Sequence, residues 1–180
     1  MKFFVLAVLV LMIGTSLANA QSPYAGEELR SLKSLSAEEV ESLKTGKGMG
    51  FAKLAELNGY PGPKHVLELA DELGLTAAQV AETEGLFQEM RQNAIALGEE
   101  LIAAEMELDR DFQQESIRPE SLQSALLAIG RIRAQLRYVH LEAHLRQRRL
   151  LSAHQIARYD ELRGYRGAAH SHDGHSKSHE

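Results

Sequence analysis

The chain has 180 residues, of which 25% are charged, with a formal net charge of −5 and no cysteine. This length suits one domain of ordinary size behind a short leader. The lack of cysteine excludes disulfides, a thiolate nucleophile and a thiolate metal site. The acidic balance does not predict binding to nucleic acid.

The first twenty residues have the layout of a secretory signal peptide. Lys2 precedes an apolar run over residues 3–17, and small residues at positions 18–20 offer a cleavage site. The competing interpretation is a retained membrane anchor, but the run is shorter than the ~20 residues of a spanning helix. We therefore expect cleavage after Ala20, a periplasmic protein and no membrane insertion after cleavage.

Residues 21–63 are predicted to form an N-terminal arm. A short helix is expected from Ser36 to Lys44, followed by a loop rich in glycine and proline. Pro61 and Pro63 favour extended turns in that loop. The arm either wraps around the body of the protein or stays mobile.

Residues 64–165 carry the helical signal. A short amphipathic helix is expected over residues 64–73. Apolar residues then recur every three or four positions over residues 77–115, which predicts a long helix in which Gly85 and Gly98 allow a bend.

A second long helix is predicted to begin at Pro119, whose fixed φ suits the first helical position. Its apolar stripe continues to about Leu150, and a last short helix covers residues 152–163. No stretch alternates at period two, so strands are not expected. The predicted fold class is all-α, a long antiparallel helical hairpin flanked by short helices in a four-helix arrangement.

Charge divides this region into two halves. From Lys64 to Glu115, thirteen acidic residues stand against three basic ones, a net of −10. From Arg118 to Arg166, ten arginines stand against four acidic residues, a net of +6. The opposite signs favour a hairpin and a basic surface on the second half, although both halves can equally be solvated helix faces.

Two similar stretches, LTAAQV and LSAHQI, bracket the long helices, and LSAEEV in the arm follows the same pattern. Each combines an N-cap Ser or Thr with Gln or Glu at the third helical position, which is the capping box. The leucine before the cap and the β-branched residue after it suit a hydrophobic staple. The structural role is therefore assigned to Leu75, Thr76, Gln79, Leu151, Ser152 and Gln155.

The stretches 75–79 and 151–155 also resemble the two LTxxQ motifs of the Spy/CpxP superfamily of periplasmic stress proteins, with Ser in place of Thr in the second. The resemblance covers residues 64–165. It implies a helical hairpin that forms a cradle-shaped homodimer. The superfamily includes ATP-independent chaperones, an envelope-stress accessory inhibitor, and metal-responsive proteins of the ZraP and CnrX kind.

Histidine offers the candidate metal ligands. His140 and His144 lie four residues apart, so both imidazoles can reach one ion from one helical face, and His65 precedes Glu68 by one turn. Such nitrogen and oxygen ligands suit Zn²⁺, Cu²⁺, Ni²⁺ or Co²⁺. The alternative is that His140 and His144 only pack or form hydrogen bonds. Relatives of the CnrX kind carry several histidines in the leading helix, whereas this chain has His65 alone there.

Residues 166–180 are predicted to be a disordered tail. Its histidines are candidates for loose binding of transition metals without a fold. The alternative is a solubilising terminus. The candidates are His170, His172, His175 and His179.

The arginine-rich second long helix offers a candidate surface for non-native acidic chains. The alternative is that its arginines pair with acidic residues of the first long helix. The predicted client-binding surface consists of Arg133, Arg137, Tyr138, Leu141, Leu145 and Arg148.

These patterns predict a non-catalytic envelope-stress protein that binds unfolded proteins or an envelope sensor protein. No serine, histidine or aspartate lies in a nucleophile elbow, and the glycines at 46–50 follow no strand, so no phosphate loop is expected. The alternative function is binding or sensing of heavy metals through the histidines.

Overall fold

The computed structural model describes residues 22–165, so the predicted signal peptide and the histidine-rich tail lie outside the described residues. The chain divides into two compact units at Ser31 and Leu32. In the described part of the first unit, a short 3-10 helix spans Glu27–Leu29 and follows Gly26, whose φ is 95°.

The described part of the second unit contains six α-helices and no strand. They are α1 (Ala37–Thr45), α2 (Lys53–Glu56), α3 (Pro63–Glu68), α4 (Ala77–Gln113), α5 (Pro119–Leu150) and α6 (Ala153–Leu162). The prediction of an all-α fold with two long helices that pack together is confirmed.

Contacts between α4 and α5 connect early residues of one helix with late residues of the other. Thr83 bonds to Gln147, whereas Glu105, more than twenty residues further along α4, pairs with Arg133. This order is that of two helices running in opposite directions, joined by the short turn after Gln113. The apolar stripes of both helices face each other in the interior.

Gly98 serves close packing between helices. A Cβ atom at this position would lie 2.6 Å from the carbonyl oxygen of Leu43, so only glycine lets α1 approach α4 this closely. α4 continues through both Gly85 and Gly98 without interruption.

Residues 32–63 belong to the same compact unit as the long helices. α1 packs against α4, and α2 packs against α5. The resulting apolar core combines side chains from this segment with side chains from both long helices, namely Leu32, Leu35, Leu43, Ala94, Leu101, Ile129, Ile132 and Leu136.

Two short helices differ from the predictions. α3 ends at Glu68, earlier than the expected Leu73, and residues 69–74 form turns that end at Gly74 with φ 60°. α2 lies in a segment that was expected to be loop, where its Ala55 is buried against the unit. Tertiary packing decides both cases, since helices this short have little stability of their own. None of the helices in residues 22–165 is both long and apolar enough to span a bilayer.

Candidate functional site

The two similar stretches form the helix caps that their sequence predicts. Thr76 accepts a hydrogen bond from the backbone N–H of Gln79, whose side chain accepts one from the Thr76 N–H. Ser152 and Gln155 repeat this arrangement at the start of α6. Each capping box satisfies backbone donors that a helix start would otherwise leave open.

The structure also brings the two caps together, which the sequence interpretation missed. The Gln79 amide donates to Oε1 of Gln155 at 3.0 Å, and the Gln155 amide donates back to Oε1 of Gln79 at 3.1 Å. Gln79 also donates to the carbonyl oxygen of Leu150 at 2.8 Å. The glutamines therefore join the start of α4 to the end of α5 and the start of α6.

His140 lies in the interior of the unit, with only 3% of its surface exposed. Its ring stacks on Phe51 with centroids 5.7 Å apart. The Nε2 atom is buried without a hydrogen-bond partner among the described residues. Burial, together with the nearby His144, lowers the pKa of His140 to about 4, so the ring is neutral at neutral pH.

His144 fixes the loop that precedes α3. Its Nδ1 donates to the carbonyl oxygen of Tyr60 at 2.7 Å and lies 3.7 Å from Oε2 of Glu56. A Cβ at residue 62 would lie 2.8 Å from the His144 ring, so Gly62 permits this contact. With Nδ1 occupied, Nε2 is the atom that remains for another partner.

The Glu56 carboxylate contacts three side chains from residues 159–165. It accepts hydrogen bonds from the hydroxyls of Tyr159 and Tyr165, and Nε of Arg163 lies 3.5 Å away. Burial, followed by the bond with Glu56, raises the pKa of Tyr159. This hub ties α2 to α6.

His65 and Glu68 form a separate pair at the partly exposed end of α3. His65 Nδ1 lies 2.7 Å from Glu68 Oε2, and this bond lowers the pKa of Glu68. Among residues 22–165, no three histidine, aspartate or glutamate side chains converge as a metal site requires. His140 and His144 thus supply two imidazoles on one face of α5, without a third ligand in this arrangement.

Several arginines of α5 are engaged within the unit. Arg133 pairs with the buried Glu105 at 2.7 Å, and Arg146 makes two bonds of 2.9 Å to Glu89. Arg148 bonds to the carbonyl oxygen of Gly59 and lies 4.7 Å above the Tyr60 ring. Two members of the predicted client surface, Arg133 and Arg148, therefore have structural partners.

The remaining members lie on the side of α5 that faces away from the core. Tyr138 is 63% exposed and Leu145 is 46% exposed, while Leu141 is half-buried and Arg137 is exposed. A seven-residue repeat extends this side of the helix to Leu127, which is 69% exposed. We call the set the outer stripe, and it consists of Leu127, Arg131, Ala134, Tyr138, Leu141 and Leu145.

The sequence interpretation missed the first half of the outer stripe. The signal is present as alternating spacings of four and three from Leu127 to Leu145. The buried stripe of Ile129, Ile132 and Leu136 has the same spacing and lies on the opposite face of the helix. α5 therefore carries two apolar faces, of which the structure covers one.

Comparison of the chain with protein-family models, with curated proteins and with solved structures finds no match. The assignment of a function therefore depends on the residues and contacts described above.

Proposed function

We propose that this protein is a non-catalytic, chaperone-like stress protein that binds non-native or partner proteins through the outer stripe of α5. The single observation that carries the proposal is this second apolar face, which the folded unit leaves exposed. Apolar residues at spacings of three and four are typical of helix surfaces that pack against another chain.

Charge defines the kind of partner. Arg131 lies within the outer stripe and Arg137 and Arg149 lie beside it, and no carboxylate of the described residues comes within 4.0 Å of these three. Such a surface favours segments that combine apolar and acidic side chains, because the arginines supply both charge and apolar stems. Exposed segments of unfolded proteins and an acidic segment of an envelope sensor protein both combine such side chains.

The proposal includes a periplasmic location and a cradle-shaped homodimer built from antiparallel hairpins. The apolar run over residues 3–17 and the resemblance of the paired LTxxQ-like motifs support these two points. The dimer contact is placed away from the outer stripe, since self-association there would bring arginines of two copies together. Sedimentation velocity would test the dimer, and a concentration-independent monomer would contradict it.

Suppression of client aggregation tests the binding function. The purified protein should reduce light scattering of a chemically denatured acidic client at equimolar amounts. The variant Tyr138→Ser/Leu145→Ser should lose most of this effect, because it removes two exposed apolar side chains from the outer stripe.

The matched control is Leu54→Ser/Leu57→Ser, which removes two exposed leucines near α2. This control should protect the client as well as the original protein does. Equal protection by all three proteins, or by none, would contradict the proposed function.

Metal binding is the second candidate, favoured by the unpartnered Nε2 of His140 and by the His144 ring held through Nδ1. A carbonyl that orients an imidazole through its second nitrogen is a common outer contact of metal sites. In this proposal the protein binds Zn²⁺, Cu²⁺, Ni²⁺ or Co²⁺ through His140 and His144, completed by His65 and Glu68 after α3 moves toward them, and the tail histidines are accessory ligands outside this site.

Calorimetric titration of the four metals would test this candidate. The protein with all tail histidines replaced by Ser should still bind one ion at micromolar concentration, and His140→Ala/His144→Ala should abolish that binding. If replacing the tail histidines alone removes all binding, the helix site is wrong. The tail residues concerned are His170, His172, His175 and His179.

A further inference from the structure

A cavity of about 790 Å³ lies between the glycine-rich loop after α1, the first half of α4 and the last third of α5. This volume is in the range of sites that hold small organic molecules. The lining is mainly apolar, with Met49, Ala52, Leu57, Phe87 and Met90 among its residues. Client binding by the outer stripe does not use this cavity, which lies on the opposite side of α5, whereas the candidate metal ligands His65, His140 and His144 are part of its lining.

The polar part of the lining is basic. It contains Lys47, Lys53, Lys64, Arg91 and Arg163, and Glu56 is its single acidic residue. This contrasts with the chain as a whole, whose net charge is −5. The cavity therefore concentrates positive charge beside apolar surface.

Two of these cations already have acidic partners. Arg163 lies 3.5 Å from Glu56, which also accepts bonds from two tyrosines, and Lys64 lies 3.5 Å from Glu68. Lys47, Lys53 and Arg91 form no ion pair within 4.0 Å in residues 22–165, although Arg91 also bonds to the carbonyl of Thr45. Three positive charges at the rim are thus available to a ligand.

We propose that this cavity binds a small amphiphilic anion, a carboxylate or sulfonate with an apolar body. The apolar body occupies the space beside Phe87 and Met90, and the acidic group pairs with Lys47, Lys53 and Arg91 at the rim. The His140 ring, stacked on Phe51, forms part of the wall. Charge complementarity selects an anion, and the limited volume selects a small molecule over a protein segment.

Titration calorimetry with dodecanoate, below its micelle concentration, tests the proposal. The purified protein should bind it saturably at one site per chain. Each methylene added between octanoate and dodecanoate should raise the affinity about fourfold, as expected for burial of an alkyl chain.

Charge reversal at the rim gives the decisive comparison. Lys47→Glu and Lys53→Glu should each weaken dodecanoate binding about fivefold and leave dodecanol binding unchanged. Lys44→Glu is the matched control, because Lys44 is an exposed lysine of α1 outside the lining, and it should leave both affinities unchanged. Absence of saturable binding, or an equal loss in the Lys44 variant, would overturn the proposal.

Discussion

The two faces of α5 have similar apolar spacing but different surroundings. On the inner face, Leu136 is 2% exposed and Gln147 bonds to the buried Thr83. On the outer face, Tyr138 and Leu145 are exposed, and no carboxylate of the described residues lies within 4.0 Å of the three arginines Arg131, Arg137 and Arg149. The side chains that stabilise the unit therefore lie on one side of the helix, and the other side is exposed to solvent.

The largest expected effect is the difference in stability lost when a leucine is truncated on each of the two faces. Leu136→Ala should lower the free energy of unfolding by about 2–5 kcal/mol, because it leaves a cavity in the core. Leu145→Ala, the same substitution on the outer face, should change it by less than about 0.5 kcal/mol. Urea denaturation followed by circular dichroism measures both, and similar losses in the two variants would contradict the different burial of the two faces.

Lowering the pH should reduce the free energy of unfolding through His140 on the inner face. The pKa of His140 is about 4 in the folded protein and about 6.5 when unfolded, so the unfolded chain binds more protons between these values. Stability from the neutral ring is therefore complete above pH 6.5 and is lost as the pH falls toward 4, by up to about 3 kcal/mol.

The variant His140→Gln removes this titration. Its free energy of unfolding should fall less steeply between pH 6.5 and pH 4 than that of the original protein. Identical slopes in urea denaturation series across this range would show that His140 is not buried as described.

The glutamine pair should have an intermediate effect. Gln79→Ala and Gln155→Ala should each cost about 1–2 kcal/mol through lost hydrogen bonds and caps. The double variant should cost less than the sum, because each single change already breaks the shared contact. Gln88→Ala, at an exposed position on α4, is the control, and its effect on the free energy of unfolding should simply add to that of either variant. Strict additivity of the Gln79 and Gln155 variants would contradict the pairing.

The smallest effect on stability is expected at Tyr138. Tyr138→Ser should shift the unfolding midpoint by little, because the side chain is mostly exposed. The same change should weaken binding of a denatured acidic client measurably in fluorescence titrations. A large loss of stability with unchanged client binding would reverse the roles assigned to the two faces.

Much of the fold could be predicted from the sequence because its signals are local. Apolar spacing, the caps at Thr76 and Ser152, and Pro119 at a helix start mark the ends of α4, α5 and α6. The contact between Gln79 and Gln155 could not be predicted in this way. It depends on how the chain returns to the same point 76 positions later.

The candidate sites were harder to predict for two different reasons. The roles of His140 and His144 depend on Phe51 and Tyr60, which reach them from a loop distant in sequence. The outer stripe needed no distant contact, since its spacing is visible in the sequence. It was overlooked because the buried stripe is sufficient to predict the helix, so no second apolar face was looked for.

The most direct test of client binding by the outer stripe is photo-crosslinking at defined positions. A photoreactive phenylalanine analogue would replace Tyr138 in one protein and Gln92, an exposed residue of α4, in another. With a denatured acidic client, we expect strong crosslinking from position 138 and little from position 92. Equal crosslinking from both positions, or crosslinking from position 92 alone, would contradict client binding by the outer stripe.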